Sequence, residues 1–93
     1  MPESDELGRE YTDREARLWR EAQFAVKARG GAVRLSQTEE GAGMDLNKLA
    51  QIGRTWSNDN LARVSDGGRT VVSLTPFGRQ FTFEDTFGDI EER

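Results

Sequence analysis

The sequence predicts an α+β fold in which helices pack with a small antiparallel β-hairpin. Three observations carry this expectation. Apolar residues fall at helical spacing over residues 11–29 and again over 45–56, and two β-rich runs flank Asp66-Gly67-Gly68. At 93 residues, with 34% apolar and 32% charged side chains, the chain is one small domain. Five Phe, two Trp and one Tyr supply much of what its core can bury.

Residues 1–10 hold four acids and little apolar content, the composition of a disordered end. Thr12-Asp13-Arg14-Glu15 reads as a capping box that opens the first helix. Tyr11, Leu18, Trp19, Ala22, Ala25 and Val26 then share one face, and Gly30-Gly31 ends it behind Lys27 and Arg29. At about 100° per residue Phe24 points away from that face. It is either an aromatic that is exposed or covered by a tail, or part of a partner surface together with Ala28.

Ala32–Leu35 is expected to be a short strand. Residues 36–43 (SQTEEGAG) read as a short helix or a loop, with two glycines against helix. The second helix is expected from about Asp45 to Trp56. Its apolar face would be Leu46, Leu49, Ala50, Ile52, Gly53 and Trp56, and its polar face Asn47, Lys48, Gln51, Arg54 and Thr55. After the polar stretch 57–60, Leu61–Val64 and Thr70–Leu74 form a hairpin closed at Asp66-Gly67-Gly68, residues that tolerate positive φ. Thr75-Pro76 opens a last helix, with Thr as N-cap, Pro at the first position, and Phe77 and Phe81 facing inward. In the acidic tail 84–93, Phe87 and Ile90 are the residues that can dock.

Composition excludes several kinds of chemistry. With no Cys and no His, disulfide frameworks, thiolate nucleophiles, Cys/His zinc sites and imidazole catalysis are absent. No carboxylate pair at recognisable spacing and no Gly-rich phosphate loop appears, so no enzyme, cofactor or metal is expected. Glu39-Glu40 could bind a cation, but two adjacent carboxylates in a loop are usually just solvated. The N-terminus is acidic, unlike a signal peptide, and no apolar run reaches the length of a membrane span, so a cytoplasmic protein is expected.

The net charge of −4 conceals a pattern. Residues 1–10 carry −3, residues 84–93 carry −4, and the trunk 11–83 carries +3. Eleven of the thirteen cations are Arg, a composition expected of a high-GC genome, such as that of a salt-loving organism or its virus.

The order of helix, strand, uncertain element, helix and hairpin resembles a winged helix-turn-helix, in which a recognition helix is followed by a two-stranded wing. Asn60–Val64, the turn Asp66-Gly67-Gly68-Arg69 and Leu74-Thr75-Pro76-Phe77-Gly78-Arg79 are similar to the corresponding segments of MarR-like small transcription regulators. The resemblance covers 44–80 well and 11–43 loosely. It departs at 36–43, where the family's first helix of the helix-turn-helix would stand.

The residues themselves add a chemical argument. A helix face with Asn47, Lys48, Gln51, Arg54 and Thr55, and no acid after Asp45, suits a major groove. Amides can bond adenine edges, Arg guanine, and Lys or Thr phosphates. An ordinary solvated face has the same composition, and both readings stay open. Arg69 at the turn can reach a minor groove or phosphate, or be a routine turn residue. Arg63 can touch the DNA backbone or guard an edge strand. Arg14, Arg17, Arg20 and Lys27, interleaved with Glu15 and Glu21, read as an ion-paired face.

The expected function is therefore a DNA-binding transcriptional regulator, partnered by double-stranded DNA and paired as a homodimer on a palindromic site. Phe24 with Ala28, or Phe83 with Phe87 and Ile90, would make the dimer contact. The sequence does not specify a small-molecule effector. The alternative is a protein-binding module on the same fold, of viral origin, which the two acidic tails favour.

Overall fold

The computed structural model describes residues 11–83. The expectations for the acidic ends, including Phe87 and Ile90, lie outside the described residues. Within them the protein is α+β, with three helices and a three-stranded antiparallel sheet. In chain order these are helix α1 (Asp13–Arg29), strand β1 (Val33–Arg34), a 3-10 turn (Leu35–Gln37), helix α2 (Leu46–Asn58), strand β2 (Ala62–Ser65), a 3-10 turn (Asp66–Gly68), strand β3 (Thr70–Leu74) and helix α3 (Pro76–Gln80).

The helix ends follow local chemistry. The Thr12 hydroxyl accepts from the Glu15 N–H at 3.1 Å, and Gly30 closes α1 in the left-handed region at φ 70. The Asp45 carboxylate accepts from the N–H groups of Asn47 and Lys48, at 3.0 and 3.2 Å, starting α2. Thr75 caps α3 by accepting from the Gly78 N–H, with Pro76 at the first position.

The sheet order is β1-β3-β2, so β3 is the centre. Val33 pairs with Val71 and Arg34 with Thr70; Ala62 pairs with Leu74 and Ser65 with Thr70. The β2–β3 register slips between Arg63 and Val64, where β3 carries Val72 as an extra residue. Val33, Ala62 and Val71 face the helices and are buried, whereas Arg34, Arg63 and Val72 face out.

The core is built on two tryptophans. Trp19 of α1 and Trp56 of α2 meet edge to face at 5.0 Å, both buried. Each indole N–H has a partner: Trp19 donates to the Phe81 carbonyl at 3.0 Å and Trp56 to Glu15 Oε2 at 2.9 Å. Phe81 and Phe83, beyond α3, complete an aromatic cluster with Tyr11 and Trp19. The Gln23 amide donates to the carbonyls of Gly78 and Phe81, at 2.8 and 2.9 Å, tying the end of α3 to α1.

Three expectations need correction. Leu46 was placed on the apolar face of α2 but is 50% exposed, as the first residue of the helix, ahead of the buried Leu49. Phe77 lies against Phe81 at 5.2 Å but keeps 36% of its surface in solvent, since Phe81 takes the inward position. Phe83, offered as a dimer contact, is buried in its own fold at 5%.

Residues 36–43 form turns rather than a helix, and polar anchors replace the missing apolar stripe. The N–H groups of Glu39 and Glu40 donate to the Glu21 carboxylate of α1, at 2.6 and 3.0 Å. Glu40 in turn pairs with Arg14 and Arg17, so the basic side of α1 is ion-paired in part, as its mixed charges imply. Thr38 bonds to the Leu35 carbonyl and the Gly41 N–H. Replacing Glu21 by Ala removes two charge-assisted bonds and is expected to cost about 1 kcal/mol. Amide hydrogen exchange at Glu39 and Glu40 should accelerate more than elsewhere in the chain.

Candidate nucleic-acid interface

The polar face of α2 stands where its sequence put it. Leu49, Ala50, Gly53 and Trp56 are buried, and at about 100° per residue Gln51 stands opposite them. Asn47, Lys48, Gln51 and Arg54 are exposed, and Thr55 is half-buried. No acid lies between Leu46 and Asn58.

Lys48 and Arg54 mark the two edges of that face, and each meets a different neighbour. Lys48, with Gln51 and Thr55, lines a cleft of about 530 Å³ whose far wall is Thr12, Arg14 and Glu15 at the start of α1. Arg54 meets the β2–β3 turn, where its guanidinium donates to the Gly67 carbonyl at 2.7 Å. Thr55 turns inward on its own helix, its hydroxyl donating to the Gln51 carbonyl at 2.9 Å.

The turn is locked to α2 by close backbone approach. Asp66, Gly67 and Gly68 have φ of 59, 70 and 106, a run that explains the Asp-Gly-Gly sequence. Gly68 is buried against α2, and a Cβ on Gly53 would sit 1.8 Å from the Gly68 oxygen. On the other side, the Leu35 N–H donates to the Arg69 carbonyl at 2.9 Å. The turn is thus held from both flanks, and it lies along α2 rather than standing away from it.

Arg69 is exposed beside this turn, its Nε donating to the Asp66 carbonyl at 3.3 Å. The structure therefore brings Asn47, Lys48, Gln51, Arg54 and Arg69 to adjoining surfaces. It separates Arg63, which projects from the outward face of β2 while its neighbours Ala62 and Val64 face α2 and the core. The sequence did not show that Arg54 latches the turn. A glycine inside an apolar helix face was the available signal, since it marks a site where another backbone comes close.

The charge around the face is nearly balanced. With Arg63 set apart, Lys48, Arg54 and Arg69 are offset by Asp45, Asp59 and Asp66. Asp45 is engaged as the cap of α2. Among the described residues no group of three acidic side chains is placed to hold a metal ion, and no helix is long and apolar enough to cross a membrane. Compared with known proteins, the chain matches no family model, no curated protein and no solved structure.

Proposed function

We propose that this protein is a small DNA-binding regulator of winged-helix type that reads double-stranded DNA with α2 and the adjoining β2–β3 turn, as a homodimer on a two-fold site. One observation carries the reading. An exposed, acid-free helix face lies flush against a rigid turn bearing Arg69, and Arg54 joins the two. Pre-organised and cation-edged, such a surface suits a major groove and its flanking phosphates. A two-stranded hairpin directly after a helix with a polar face supports the winged-helix reading, while the turns at 36–43 and the short docked wing depart from it.

Each side chain has a distinct expected role. Gln51, directed straight outward, pairs with a base edge, and Asn47 reaches the next step. Lys48 and Arg69 contact phosphates. Arg54 keeps further N–H donors beyond the one that bonds to Gly67, since a guanidinium has five. Arg63 is left out, because it points from the other side of the sheet.

The test is binding of genomic fragments measured by fluorescence anisotropy at several salt concentrations. Gln51→Ala should weaken the specific complex by about 1–3 kcal/mol and leave non-specific binding unchanged. Lys48→Gln should weaken both and lower the salt slope by about 1. Binding without sequence preference at any salt concentration would end the reading.

The near-balance of charge and the half-exposed Leu46 on the same helix favour one other reading, a protein-binding module. A chain that binds no DNA at low salt, yet captures a folded partner through Leu46, would establish it.

A further inference from the structure

The outer ridge of α1 carries a feature that neither the core nor the proposed DNA face uses. Phe24 is 72% exposed, the most exposed of the large hydrophobic residues described. On a helix its surface neighbours are Arg20, Glu21, Lys27 and Ala28, each about one turn away. Arg20, Lys27 and Ala28 are exposed as well. The nearest acid, Glu21, directs its carboxylate to the Glu39 and Glu40 N–H groups. An aromatic ring framed by cations matches a partner that is both apolar and acidic.

Such a segment leaves the fold at the foot of this ridge. Phe83 is anchored on Tyr11, Trp19 and Phe81, and with Thr82 it lines a depression of about 230 Å³ shared with Ala16, Trp19 and Arg20. Arg20 is one helical turn from Phe24. The ten residues that follow Phe83 contain five acids and only two large apolar residues, Phe87 and Ile90. Ten extended residues span up to about 33 Å, more than the roughly 26 Å length of a 17-residue helix.

The geometry points to the chain's own C-terminal segment, residues 84–93, as the occupant of the α1 ridge, with Phe87 or Ile90 covering Phe24 and the acids meeting Arg20 and Lys27. The docking is intramolecular, because the segment starts beside its site and its effective concentration there is in the millimolar range typical of short tethers. It does not depend on how α2 is used.

The absence of cysteine permits a direct test. In the full chain a nitroxide is attached at position 92 through Glu92→Cys, and paramagnetic broadening of backbone amides is recorded. Broadening should concentrate on residues 17–28, spare residues 46–58, and weaken at high salt. It should be lost in Phe24→Ser, a surface change that leaves the core intact, and in Phe87→Ser/Ile90→Ser. Uniform broadening, or broadening centred on α2, would overturn the inference. So would equal broadening of isotope-labelled chains by nitroxide-bearing neighbours, which would make a second copy the occupant.

Discussion

Gly53→Ala is expected to lower stability by at least about 3 kcal/mol, because nothing near the new methyl group can yield cheaply. The Cβ would lie 1.8 Å from the Gly68 oxygen and 2.7 Å from its carbonyl carbon, both backbone atoms. Gly68 is just as close to α2 in its own right, since a Cβ added to it would meet the Ala50 carbonyl oxygen at 2.3 Å and the Arg54 side chain at 2.9 Å, so the two backbones have no spare room between them. Relief therefore requires the turn to lift from α2, breaking the Arg54 bond to Gly67 and disturbing the Leu35 bond to Arg69. For a domain of this size, about 3 kcal/mol corresponds to a Tm lower by roughly 10–25 °C. The same displacement would move Arg69 away from Arg54, so a Gly53→Ala chain that still folds should bind DNA weakly even at low temperature. Thermal denaturation and anisotropy on the one variant measure both effects. A Tm within a degree of the parent would show that the turn is not locked to the helix.

How much of this was legible in the sequence depended on the range of the interaction. Thr12, Gly30, Asp45 and Thr75-Pro76 mark helix ends through bonds to residues within four positions, and each is found where local chemistry places it. The hairpin is equally local, its turn being dictated by backbone conformations that Asp-Gly-Gly tolerates. Residues 36–43 were not legible because their anchors, Glu21, Arg14 and Arg17, are 18 to 26 positions earlier and polar, so no periodicity reports them. The orientation of the candidate face on α2 followed from its amphipathicity. The division of that face did not, since the Lys48 edge on a cleft and the Arg54 edge on the turn depend on tertiary neighbours. Leu46 shows the opposite error, an apolar residue in phase with the stripe that has no partner surface to meet.

Glu15 and Trp56 illustrate a further limit, and they supply the other large expected effect. In sequence Glu15 reads as the second half of a capping box, yet its carboxylate accepts the indole N–H of Trp56, 41 positions away, inside the core. Trp56→Ala deletes the ring that meets Trp19 edge to face and should cost about 3–5 kcal/mol, a large share of the 5–15 kcal/mol that holds a typical domain together. Trp56→Phe keeps most of the ring but removes the donor from a carboxylate that is only 9% exposed, which should cost about 1–3 kcal/mol. The informative experiment is the double variant Trp56→Phe/Glu15→Leu. If the cost of Trp56→Phe lies chiefly in the carboxylate losing its buried donor, replacing both partners by apolar groups should restore part of it. The pair should then be more stable than the sum of the two single changes predicts, by about 1 kcal/mol or more in urea denaturation. Strict additivity would mean that Glu15 finds equivalent partners without Trp56, and that the two helices are joined by ring packing alone.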